Sequence, residues 1–77
     1  MSDQVFIGHD YFNAWYVDGA LKESAKPDYL NIETLMTVFP DADVYWMDDD
    51  MYDELLNGDD YPVDLRDVPL DRMRKIQ

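Results

Sequence analysis

The densest group of chemically active side chains in this sequence is the segment from Asp41 to Asp64, which contains ten acidic residues and no basic one. Carboxylate oxygens are ligands for Ca²⁺ and Mg²⁺. A calcium EF-hand loop needs oxygen ligands at alternating positions and a glycine at position 6. A loop starting at Asp48 has Asp53 at position 6, and one starting at Asp41 has Tyr45 at position 5. We therefore expect no metal site and no cofactor, with a weakly held Mg²⁺ at a carboxylate pair as the alternative.

Side chains suited to catalysis are scarce in the rest of the chain. His9 is the single histidine, there is no cysteine, and the three glycines are too scattered for a phosphate-binding loop. A catalytic triad needs three groups that converge in the fold. Carboxylates that act as general acid and base need one of the pair to be desolvated, whereas acids at a helix start are normally hydrated. We predict no catalytic residue and no enzymatic activity.

Helix capping explains part of the acidic segment. An aspartate at a helix N-terminus accepts hydrogen bonds from free backbone amides and lies at the positive end of the helix dipole. Residues 48–50 are three such aspartates, but one cap needs only one side chain and adjacent carboxylates repel each other. Capping leaves the remaining acids unexplained, namely Asp53, Glu54, Asp59, Asp60 and Asp64.

The density of negative charge favours an imitation of nucleic acid. The chain has 18 acids and 6 bases, a formal charge of −12, whereas a charge of about 2 to 8 in magnitude keeps a small domain soluble. Duplex DNA carries about six charges per 10 Å of axis. Residues 48–54 would place five acids on about 10 Å of helix. We therefore predict a surface that binds the lysines and arginines of a nucleic-acid-binding protein.

The predicted partner-binding residues are the acids of this segment together with one tyrosine. Tyr52 is included because it follows the aspartate run and exposed aromatic residues are typical of binding hot spots. Tyr45, Trp46 and Tyr61 are expected in the core. The full predicted set is Asp41, Asp43, Asp48, Asp49, Asp50, Tyr52, Asp53, Glu54, Asp59, Asp60 and Asp64.

The hydrophobic pattern predicts a single acidic α+β domain over residues 1–77. A short antiparallel sheet of three to five strands would pack with two or three short helices. Asp18-Gly19 is a two-residue hairpin signal between the second and third strands. The predicted strands are residues 4–8, 12–17, about 20–24 and 43–47, with an extended edge segment at 61–67.

Three helices are predicted from capping residues and helix breakers. The first is capped by Asn31 and ends at Phe39, with its apolar residues on one face. The second starts within residues 48–50 and stops at Asn57-Gly58. The third opens at Pro69, and its last turn contains the bases Arg72, Arg74 and Lys75, which favour the helix dipole.

Several features of the sequence favour the cytoplasm. The absence of cysteine is typical of a reducing compartment. No apolar run approaches the roughly 20 residues that cross a bilayer, and the N-terminus MSDQVFIGHD lacks the basic flank and apolar core of a signal peptide. We expect no membrane contact. We also expect no direct binding of nucleic acid, because the protein and the phosphate backbone have charge of the same sign.

In size, charge and lack of catalytic residues the chain resembles the small acidic inhibitors that phages and mobile elements encode. These include anti-CRISPR proteins, anti-restriction DNA mimics and uracil-DNA glycosylase inhibitors. The resemblance is one of composition and transfers no residue. It implies a DNA mimic that inhibits a CRISPR effector or another defence nuclease, with a glycosylase, an RNA polymerase or a nucleoid protein as other partners. The alternative function is an acidic adaptor or assembly subunit that binds its partner through an apolar face.

Overall fold

A five-stranded sheet forms the centre of the computed structural model, which describes residues 3–77. Short runs of aromatic and β-branched residues supply its first strands. The order across the sheet is β3-β2-β1-β4-β5, so β1 is central. In chain order the strands are β1 (Gln4–Gly8), β2 (Asn13–Val17), β3 (Ala20–Ala25), β4 (Asp43–Trp46) and β5 (Arg74–Lys75).

A tight turn joins β2 to β3 at the predicted position. Asp18 and Gly19 have φ values of 52° and 85°, and a two-residue turn of this kind requires positive φ at both positions. Val17 and Ala20 pair directly on either side of it. The α+β class, the hairpin and the first three strands are therefore as the sequence predicts.

One pair of strands is parallel, whereas the sequence pattern predicted an antiparallel sheet. β1 and β4 run in the same direction, with Phe6 opposite Val44 and Ile7 opposite Tyr45. The chain reverses after β1 and after β2, and helix α1 (Ile32–Val38) then connects β3 to β4. A helical crossover returns the chain to the starting end of the sheet, so the next strand runs parallel to the strand before the helix. Residue alternation within β4 contains no information on that direction.

The two faces of the sheet are covered by different helices. α1 shares a buried apolar cluster with Phe6 and Val44. On the other face, helix α2 (Asp49–Leu56) shares a cluster with Ile7 and Tyr16. The helices have seven and eight residues, and no helix within residues 3–77 is long and apolar enough to cross a membrane.

Both helices start and stop at predicted positions. The side chain of Asn31 accepts a hydrogen bond from the amide of Thr34 at 3.0 Å, and that of Asp48 accepts one from the amide of Met51 at 2.8 Å. These bonds satisfy amides that have no partner inside the helix. α2 ends where Asn57 adopts a left-handed conformation with φ of 48°, a common way for a helix to stop.

Residues 61–67 were predicted as an extended edge strand, and this is only partly right. Ala20 and Asp64 form a single antiparallel bridge, and the amide of Leu21 donates to the carbonyl of Val63 at 2.8 Å. The chain thus follows the outer edge of β3 for a few residues. It then turns into a 3-10 helix at Leu65–Asp67, so no sixth strand forms.

The predicted C-terminal helix is wrong. Leu70–Arg72 form one turn of 3-10 helix, and the chain then enters β5, where Arg74 pairs with Trp46 and Lys75 with Tyr45. Without β5 the outer edge of β4 would have unpaired backbone groups, which sheets tend to cover. The last bases therefore extend the sheet and do not cap a helix.

Candidate acidic interface

β4 separates two groups of the predicted acids. Asp41 and Asp43 lie at its amino end, and residues 48–50 follow its carboxyl end at the start of α2. A strand rises about 3.3 Å per residue, so the length of β4 places the groups about 13 Å apart. The acidic segment of the sequence is therefore not one continuous patch in the fold.

The outer face of α2 has the closest set of carboxylates. Asp49, Asp50, Asp53 and Glu54 are all exposed, while the inner face of the helix belongs to the apolar cluster. Residues four apart on a helix have Cβ atoms about 5–6 Å apart, which resembles the spacing of successive phosphates. Even so, residues 3–77 contain no group of three or more His, Cys, Asp or Glu side chains placed to hold a metal ion.

In the folded structure three of the bases form ion pairs with acids of the predicted set. Surface ion pairs of this kind contribute little to stability, but they reduce the local negative charge. The separation of acids from bases along the sequence thus overstates their separation in space. Hydrogen bonding from Arg66 also lowers the pKa of the Asp64 carboxyl. The pairs are Arg66–Asp64 at 2.7 Å, Arg72–Glu54 at 3.2 Å and Lys75–Asp43 at 3.1 Å.

Three further acids of the set stabilise local backbone structure. Asp48 caps α2, and Asp59 accepts a hydrogen bond from the amide of Asp60 at 3.0 Å. Asp60 accepts from the hydroxyl of Ser24 at 2.8 Å and from the amide of Tyr61 at 2.6 Å. All three remain exposed, and a carboxylate that accepts a hydrogen bond keeps its charge. They add to the negative field beside α2 without being free to move.

Asp50 and Asp53 are the least engaged acids on α2. Neither forms an ion pair with any base in residues 3–77, and the same is true of Asp41 at the far end of β4. Asp50 and Asp53 lie three residues apart, hence on neighbouring turns of one helix face. They are the pair whose charge is most available to a partner.

Sequence reasoning missed the residue that connects α2 to β1. His9 is 2% exposed, and its Nε2 lies 2.9 Å from Oδ1 of Asp49. Its Nδ1 accepts a hydrogen bond from the amide of Tyr11 at 3.2 Å. An amide can only donate, so Nδ1 has no proton and Nε2–H donates to Asp49. The available signal was the period of two in β1, which puts residue 9 on the same face as Val5 and Ile7.

Tyr52 was predicted to be exposed, but it is half-buried. Its ring stacks on His9 with centroids 4.0 Å apart and planes 11° from parallel. The exposed tyrosines are instead Tyr11 and Tyr29, in the loops after β1 and β3. Of the aromatic residues expected in the core, Tyr61 is buried there, whereas Tyr45 and Trp46 are half-buried.

No protein-family model, curated protein or solved structure matches the chain. Exposed carboxylates along one helix face attract cations. Lysine and arginine side chains are among the cations that form charge-assisted hydrogen bonds with carboxylates.

Proposed function

We propose that this protein is an acidic DNA mimic that occupies the nucleic-acid-binding surface of a basic protein and inhibits it. The observation that supports this most directly is the outer face of α2, where Asp50 and Asp53 are exposed without a basic partner in residues 3–77. Asp49 and Glu54 adjoin them on the same face. The formal charge of −12 on 77 residues supports the same function.

The main binding surface in this proposal is narrower than the sequence alone suggests. It consists of α2 with its cap Asp48, extended by Asp59 and Asp60 in the following loop. Asp41, Asp43 and Asp64 contribute less, because they lie away from α2 and two of them are paired with bases.

The partner proposed is a CRISPR effector or another defence nuclease, on the compositional resemblance to phage and mobile-element inhibitors. The protein would then act in the cytoplasm of the host cell. A glycosylase, an RNA polymerase or a nucleoid protein offers similar basic chemistry. The protein itself is proposed to have no enzymatic activity and no direct contact with nucleic acid or membrane.

Competition with DNA tests the mimicry. A purified defence complex is mixed with labelled target DNA and increasing amounts of the protein, and bound DNA is followed by electrophoretic mobility shift. The protein should displace DNA competitively, because both need the same lysines and arginines. A ternary complex of nuclease, DNA and protein would show that mimicry is wrong.

A matched pair of double variants tests the role of α2. Asp50→Asn with Asp53→Asn removes two charges from the outer face, and the removal of each charge should weaken binding by about 1 kcal/mol or more. Glu23→Gln with Asp67→Asn removes the same charge from exposed positions outside the predicted set and should weaken binding much less. Equal effects of the two variants would mean that net charge matters and the α2 face does not.

The second candidate is the acidic adaptor, which the exposed apolar side chains favour. Tyr29, Val38 and Val63 are each more than half exposed. An adaptor held by apolar contacts should bind its partner with nearly constant affinity between about 50 and 300 mM salt. A mimic should lose affinity steeply over that range, because its binding is electrostatic.

A further inference from the structure

Tyr11 is a large aromatic side chain that is held in place although it is 67% exposed. Its amide donates to the buried His9. Its ring lies edge-to-face with the rings of His9 and Tyr52, with centroids 5.2 and 6.0 Å away and interplanar angles of 60° and 66°. In such a contact at least one face of the Tyr11 ring remains open. A side chain already ordered in the free protein loses little entropy on binding.

His9 also contacts a carboxylate, that of Asp49. One imidazole accepts from the Tyr11 amide through Nδ1 and donates to Oδ1 of Asp49 through Nε2. The Asp49 side chain is 81% exposed, so its second oxygen can accept from a partner. The Tyr11 backbone amide and the Asp49 carboxylate thus bond to the two nitrogens of one buried imidazole, and the Tyr11 ring packs edge-to-face against the same imidazole.

We propose that Tyr11 and Asp49 together bind an arginine side chain of the basic partner. The guanidinium would stack on the open face of Tyr11 and donate to Asp49. A guanidinium is planar, weakly hydrated and able to donate in several directions, whereas a lysine ammonium is a strongly hydrated point charge. The pair should therefore prefer arginine to lysine. This inference rests on the proposed function, since it presumes a basic partner, and it names the residue type that the surface selects.

Oligoarginine and oligolysine peptides of equal length and charge are probes for this preference. Their affinities for the wild-type protein and for the variant Tyr11→Leu are measured by calorimetry at the same salt concentration. A cation over an exposed aromatic ring is worth about 0.5–1 kcal/mol, so Tyr11→Leu should bind oligoarginine about two- to five-fold more weakly. Its affinity for oligolysine should change much less, which removes most of the preference for arginine.

Tyr29→Leu is the matched control. Tyr29 is 82% exposed and also lies in a loop, but it has none of the ring contacts that hold Tyr11, so its replacement should leave the preference intact. Tyr11→Phe keeps the ring and should keep the preference. An arginine preference that survives in Tyr11→Leu, or that disappears equally in Tyr29→Leu, would overturn the inference.

A measurement on the wild-type protein covers the case in which Tyr11→Leu does not fold. Oligoarginine should shift the ring proton resonances of Tyr11 more than those of Tyr29, and oligolysine should not. Equal shifts at both rings would overturn the inference. The outcome is separable from that of the proposed function: failure of the protein to displace DNA from its partner would refute mimicry, whereas the peptide results test Tyr11 alone.

Discussion

At the scale of single residues, two buried tyrosine hydroxyls connect the chain after α2 to the sheet. Tyr16 donates to the carbonyl of Pro62 at 2.6 Å, and Tyr61 donates to the carbonyl of Phe12 at 2.5 Å. Burial raises the pKa of both hydroxyls, and the charge of Asp60 raises each further. Deprotonation of either hydroxyl is therefore less favourable in the folded protein than in the unfolded chain.

We expect the free energy of unfolding to fall as pH rises above about 10. The folded-state pKa of Tyr16 and Tyr61 lies above the value of 10.0 that holds in the unfolded chain. The unfolded state therefore loses these protons first, and alkaline pH favours it. The stabilisation is fully present below that value and is lost as pH rises toward the folded-state pKa. Urea unfolding between about pH 8 and 11 measures this decline.

Tyr61→Phe is the variant that isolates this effect. It removes the hydrogen bond to the Phe12 carbonyl, which should cost about 1–2 kcal/mol near neutral pH. The variant has one buried ionisable hydroxyl fewer, so its stability should decline less steeply in alkali. A decline as steep as that of the wild-type protein would show that other groups cause the alkaline unfolding.

At the scale of elements, neighbouring aspartates at the start of α2 have different roles. Asp48 caps the helix, Asp49 contacts His9, and Asp50 and Asp53 face the solvent. Asp48→Ala should lower the free energy of unfolding by about 1 kcal/mol, since it leaves helix amides without a partner. Asp53→Asn should leave stability unchanged or raise it slightly, because it relieves repulsion within one helix face. Urea unfolding compares the two variants. Equal destabilisation would mean that Asp48 and Asp53 do not have the different roles assigned to them here.

The elements that the sequence predicts correctly are those fixed by local chemistry. Asp18-Gly19 specifies its turn through backbone conformation, and Asn31 and Asp48 specify helix starts through hydrogen bonds three residues away. Each of these signals needs only its own neighbourhood in the chain. That is why turns and caps are predictable here while their arrangement in space is not.

The features that the sequence does not predict depend on residues far apart in the chain. β5 pairs with β4, which lies far away in the sequence, although Pro69 and the bases after it are typical of a helix. His9 meets Asp49 across 40 positions. The acidic surface is likewise only partly predictable. Its residues can be read from the sequence, but the bases that pair with Glu54 and Asp43 lie in the C-terminal segment, far from them in the chain.

At the scale of the whole molecule, acidic residues far outnumber basic ones in a small domain. Three of the ten acids between residues 41 and 64 pair with lysine or arginine, so seven lack such a partner within residues 3–77. Those ion pairs are exposed and contribute little, while repulsion among like charges destabilises a compact state. A surface that favours binding to a basic partner therefore opposes the folding of the protein that presents it.

We expect salt to change folding and binding in opposite directions. Raising NaCl from about 20 to 300 mM shortens the Debye length from roughly 20 to 6 Å, which screens the repulsion and should raise the melting temperature. The same screening should weaken binding to a basic partner. Asp50→Asn with Asp53→Asn should show a smaller rise in melting temperature, because two of the repelling charges are gone. Thermal unfolding by circular dichroism measures this, and a melting temperature that falls with salt would mean that ion pairs outweigh repulsion in this fold.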